Sequence, residues 1–84
     1  MGHIKIQKAF GASLRLQRKK KGLSQTVLAQ LSGLHRTYIS DVERGARNLS
    51  LCSISALAEA LDISVADFFP LEDSADQGDL TPGV

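Results

Sequence analysis

Residues 33–48, GLHRTYISDVERGARN, hold the pattern that decides how this chain folds. On a helix turning about 100° per residue, Arg36, Ser40, Arg44, Thr37 and Asp41 fall within about 140° of one another, while Val42, Ile39 and Tyr38 take the other side. The segment therefore reads as an amphipathic helix, expected from about His35 to Arg44 and ended by Gly45. Its polar edge carries residue types that read or grip nucleic acid. Arg bonds guanine O6 and N7 together, Thr donates or packs on a thymine methyl, and Asp accepts from cytosine N4.

Immediately upstream, Ser24 reads as the N-cap of a helix through about Ser32, with Leu28, Ala29 and Leu31 apolar and Gly33 as its stop. Two helices of about eight to ten residues across a tight glycine-containing turn make a helix-turn-helix. Further out, a first helix is expected over about residues 6–21, where Phe10 and Leu14 form an i, i+4 pair. Arg15, Arg18 and the lysines at 19–21 load its C-terminal end, the place where cations suit the helix dipole, before Gly22. Downstream, Ser50 caps LCSISALAEALD, whose Ile54, Leu57, Ala58 and Leu61 form one buried stripe. Ser64 caps a last short helical turn, VADFF, stopped by Pro70. No segment alternates with a period of two, so no strands are expected. The expected class is all-α: five helices in one domain over residues 6–70, followed by an acidic, aperiodic segment, 71–84, expected to be a disordered tail.

Composition narrows the function. With 84 residues and 43% hydrophobic content, the chain supports one small core. A single cysteine, Cys52, excludes an internal disulfide or a multi-cysteine zinc cluster, and with no cation or second thiol beside it in sequence it is expected to be inert. His3 and His35 lack acidic partners at ligand spacing, so no metal or other cofactor is expected. His35 instead reads as a capping or backbone-contact residue at the helix entrance. No apolar run approaches the length of a membrane span, and a cytoplasmic protein is expected. No nucleophile–base pattern or phosphate loop suggests an enzyme. RNA stacking would call for more interleaved aromatics than Phe10, Tyr38, Phe68 and Phe69. Charge is strongly divided: all ten Lys and Arg lie between Lys5 and Arg47 with only Asp41 and Glu43 as acids, and the other seven acids follow with no base among them. The basic part points to a polyanion, because neutralising phosphates releases condensed counterions.

The run GLSQTVLAQLSGLHRTYISDVERGARNLSL resembles the lambda-repressor-like, xenobiotic-response-element type of helix-turn-helix family. Within it, HRTYIS, VERG and RNLSL are most similar to the controller proteins of restriction–modification systems. The resemblance covers about residues 8–70 and implies a sequence-specific DNA-binding transcriptional regulator. It places DNA contacts at Gln25, Arg36, Thr37 and Asp41. Arg36 and Thr37 are expected to read bases, and Gln25 to approach a phosphate from the start of its helix. Asp41 is expected either to accept from cytosine or to orient Arg36. Ser40 shares the polar edge, and Tyr38, Arg44, Arg47 and Asn48 are expected on phosphates, which fix register without reading sequence. The resemblance also pairs Glu43 with Arg18 in a structural ion pair. It calls for an aliphatic residue at position 17; Gln17 stands there, so a slightly rotated or looser first helix is expected.

One recognition helix spans few base pairs, and selectivity normally comes from a two-fold dimer on half-sites about 34 Å apart. The expected homodimer surface comprises Leu49, Leu51, Ile63, Phe68, Phe69 and Leu71. For a controller the resemblance implies palindromic or tandem operators at its own promoter and that of the endonuclease, with RNA polymerase as a further candidate partner. The competing reading is an antitoxin-type or phage-repressor-type regulator whose main partner is another protein.

Overall fold

The computed structural model describes residues 2–69, with side chains from residue 5 onward. Four α-helices follow one another: α1 (Gly2–Lys20), α2 (Gln25–Ser32), α3 (Arg36–Glu43) and α4 (Leu51–Leu61). The expected fifth helix is a 3-10 turn, Val65–Phe68. Four residues allow little more than this tighter winding. There are no strands among the described residues. The expected boundary of the domain at residue 70 and the segment 71–84 lie outside the described residues.

Local chemistry sets the helix ends. The Ser24 hydroxyl accepts from the Val27 N–H at 3.1 Å, and the Ser50 hydroxyl accepts from the Ser53 N–H at 3.0 Å. Each satisfies one of the orphan donors of a helix N-terminus. Gly33 closes α2 with φ 77°, and its N–H donates to the Ala29 carbonyl at 2.9 Å. This left-handed geometry suits glycine and makes the tight corner of the helix-turn-helix. α1 reaches back beyond its expected start near residue 6, since no capping residue, Gly or Pro interrupts positions 3–6.

The core collects Phe10 and Leu14 from α1, Leu28 from α2, Ile39 and Val42 from α3, Leu57, Ala58 and Leu61 from α4, and Phe68 from the 3-10 turn. α2 packs on α3 and α4, α1 packs on α3, and the 3-10 turn spans α1 and α4. The crossing of α1 over α3 is unusually close. A Cβ on Gly11 would collide with the Val42 carbonyl oxygen, so only glycine lets the α1 backbone ride on the C-terminal end of α3. Near the unusual residue at position 17, Leu14 is fully buried and Leu16 stays 58% exposed. The Gln17 amide nitrogen lies 3.4 Å from the Asp67 carbonyl, within reach of the 3-10 turn.

Two adjacent aromatics part company at that turn. Phe68 is fully buried with its ring 4.9 Å from that of Phe10, while Phe69 remains 41% exposed at 5.7 Å from the same ring. Phe68 is thereby withdrawn from the surface on which the dimer expectation placed it.

Candidate nucleic-acid interface

α3 buries Ile39 and Val42 and turns its other edge outward. Arg36 and Thr37 are exposed, and Tyr38, Ser40 and Asp41 are half-buried along the flank. Arg44 is exposed at the C-cap of α3, and Arg47 and Asn48 follow on the exposed segment that Gly45 starts with φ 78°. His35 holds the N-cap position with extended backbone, yet its side chain makes no capping bond. It meets the expectation in position and departs from it in chemistry, because an imidazole fits the N2 and N3 donors less well than a short hydroxyl or carboxylate.

Beneath this edge sits a connected polar network. Arg18 Nε and Nη2 donate to Glu43 Oε2 and Oε1 at 2.6 and 2.9 Å, a two-pronged pair with side-chain exposures of only 10% and 5%. Arg18 Nη1 donates to the Leu23 carbonyl at 2.8 Å. One guanidinium thus ties α1, the turn into α2 and the end of α3, and the Glu43 hydrogen bonds raise its pKa above the ordinary arginine value.

The network continues outward. Gln25 Nε2 donates to Glu43 Oε1 at 3.1 Å, and Gln25 Oε1 accepts from Arg36 Nη1 at 3.2 Å. Only this orientation of the amide works, since a guanidinium only donates and a carboxylate only accepts. Gln25 was expected at a phosphate; here its amide joins the buried pair to the exposed Arg36. A glutamine at a helix start carries no signal of that link, because the link exists only once α2 and α3 are packed.

Asp41 does not orient Arg36. One of its carboxylate oxygens is bonded by Arg44 Nη2 and the other lies 3.5 Å from Arg47 Nε. The hydrogen bond from Arg44, ahead of the weaker one from Arg47, holds the carboxyl below its ordinary pKa of 3.8. The Arg47 guanidinium carbon also stands 5.0 Å from the centre of the Tyr38 ring, over its face. Tyr38 and Arg47, with Thr37, His35 and Ser53, line a cleft of about 480 Å³ beside the start of α3.

A second, mainly apolar cleft of about 220 Å³ lies between Ile6, Phe10, Leu49, Ile54 and Phe69, with Gln7 and Asn48 at its rim. Leu51, 83% exposed, is among the most exposed large hydrophobic side chains, and Ile63 and Leu49 are partly buried against the core. Leu71 lies outside the described residues. Cys52 is exposed. Among the described residues no cluster of three metal-ligating side chains occurs, and no helix is long and apolar enough to cross a membrane.

The helix-turn-helix family HTH_3 matches residues 14–68. The control protein C.SmaI of Serratia marcescens is 47% identical over 60 residues, 71% of each chain. The control protein C.BamHI of Bacillus amyloliquefaciens is 44% identical over 63 residues, covering 74% of this chain and 78% of the relative. Among solved structures, the restriction–modification controller protein C.AhdI of Aeromonas hydrophila is 52% identical with a TM-score of 0.76, covering 77% of this chain and 98% of that one.

Proposed function

The chain belongs to the helix-turn-helix family, and from that membership we propose that it is a sequence-specific transcriptional regulator of the restriction–modification controller type. It acts as a homodimer on paired operator half-sites at its own promoter and that of a neighbouring endonuclease gene. The observation that carries the reading is the exposed edge of α3. Arg36 and Thr37 stand clear of the core, and Arg36 is braced through Gln25 to a buried ion pair. A guanidinium fixed on one side loses less freedom when it meets a base, and that favours selective contact.

In this reading Arg36 and Thr37 enter the major groove and read bases, with Ser40 beside them. Tyr38, Arg44, Arg47 and Asn48 meet the phosphates on either side, and Gln25, half-buried at the start of α2, approaches the backbone. The dimer forms through the apolar cleft and its surroundings, with Leu49, Leu51 and Phe69 as its main contacts and Ile63 supporting them. Work on promoter DNA places the protein in the cytoplasm, and contact with RNA polymerase would follow from binding beside a promoter.

Selection of bound duplexes from a random pool tests this, repeated with Arg36→Ala and Arg47→Ala. Losing Arg36 is expected to relax preference at particular bases, at about 1–3 kcal/mol of discrimination. Losing Arg47 is expected to weaken all sequences alike and to lower the salt slope by about one. Uniform weakening by both variants would overturn the division between base-reading and anchoring residues.

A further inference from the structure

Asp41 is an anomaly on a surface meant for a polyanion. It is half-buried on the flank of the exposed edge, and both of its oxygens face cations from the same chain. Its side chain is 23% exposed, against 60% for Arg44 and 49% for Arg47, so the acid lies beneath the two bases instead of in front of them. Arg47 makes two contacts, its Nε 3.5 Å from the carboxylate and its face over the Tyr38 ring. Among the described residues nothing accepts from its Nη1 or Nη2, so the outer prongs of that guanidinium remain available to an incoming oxygen.

We propose that Asp41 is a positioning residue that sets the ratio between operator and non-operator binding without reading a base. Its carboxylate holds Arg44 and Arg47 in the orientation they keep on the DNA backbone, and its charge offsets part of their attraction for phosphates in general. The inference rests on the DNA-binding reading above. Two effects act in the same direction. Prefixed arginines give up less side-chain freedom at a site whose geometry matches them. The negative charge meanwhile weakens attraction that depends only on charge, which is the main component of non-operator binding.

Asp41→Asn keeps the shape and removes the charge; Asp41→Ala removes both. Each variant is measured in the full chain on two duplexes, one enriched by the wild-type protein from a random pool and one with the same bases scrambled. Each is titrated over a range of salt, with the helical circular dichroism of each variant checked against wild type. Both variants are expected to bind the scrambled duplex roughly threefold to tenfold more tightly, with a salt slope steeper by about one. The preference for the enriched duplex is expected to fall by about tenfold while the preferred sequence stays the same. In an Arg44→Ala, Arg47→Ala background, Asp41→Asn is expected to change the ratio little, because the side chains it positions are gone. An unchanged ratio in the single variants overturns the proposal. So does a switch of preferred base at one position with the salt slope unaltered, the signature of a base-reading carboxylate. If the wild-type protein itself enriches no duplex, the regulator reading falls and this inference with it; if it does and the ratio holds, this inference falls alone.

Discussion

Two carboxylates stand two positions apart on α3, and their surroundings give them opposite work. Glu43 is almost wholly buried, gripped by both prongs of Arg18 and by the Gln25 amide. Asp41 lies one helical face away, where Arg44 and Arg47 cover it from the solvent side. A buried pair is costly to break because the surviving charge has no water to turn to, whereas an exposed pair is screened and contributes little to stability. The same residue chemistry thus serves as a structural anchor on one face of a helix and as a device for orienting exposed cations on the next.

Breaking the buried side should give the largest effect. Glu43→Ala or Arg18→Ala is expected to lower unfolding stability by about 3–5 kcal/mol, read from denaturant melts. Arg44→Ala, by contrast, should change stability by less than about 1 kcal/mol. If the two losses proved equal, the distinction between anchor and orienting device would fail.

The paired phenylalanines sharpen the comparison. Phe68→Ala is expected to cost about 3–5 kcal/mol, since it empties a fully buried site against Phe10. Phe69→Ala is expected to leave the melt much closer to wild type while shifting sedimentation from dimer to monomer. A monomer–dimer equilibrium untouched by Phe69→Ala would move the interface away from the apolar cleft.

Smaller effects are expected at the helix entrances. Ser24→Ala removes a capping bond and should cost about 1 kcal/mol. His35→Ser, at an N-cap with no side-chain bond, should return a gain of up to about 1 kcal/mol. Thermal melts of the two variants in opposite directions would bear out the difference between the two caps.

The smallest effect concerns acid. The Asp41 carboxyl is held below 3.8 by Arg44 and Arg47, so it binds its proton less readily folded than unfolded. Stability from this pair is therefore fully present above that ordinary value and is lost as pH falls through the depressed one. The melting curves of wild type and Asp41→Asn should converge as the solution is acidified below that range. Curves that stay parallel would show that the pair contributes nothing to folding.

Much of this architecture was legible from local pattern. The caps at Ser24 and Ser50, the Gly33 corner and the alternation of Ile39 and Val42 with polar neighbours are short-range signals, and the helices α2, α3 and α4 lie where those signals put them. The extent of α1 was not, because the start of a helix without a cap carries no mark. Which of Phe68 and Phe69 enters the core depends on the winding of a four-residue turn. At the site, the Asp41–Arg44 pair follows from i, i+3 spacing, whereas Arg47 reaches Asp41 only because Gly45 bends the chain back beyond the helix end. The Gln25 bridge between Arg36 and Glu43 joins three separate stretches of sequence and needs the packed fold to exist.

The most direct measurement is a nuclear magnetic resonance titration of the isotope-labelled full chain with the duplex it enriches. Resonances of Arg36, Thr37, Ser40 and the Arg47 guanidinium are expected to move most, with those of Leu57, Ala58 and Leu61 in α4 nearly still. Shifts centred on α4, with the outer edge of α3 unmoved, would contradict the claim that this edge meets DNA.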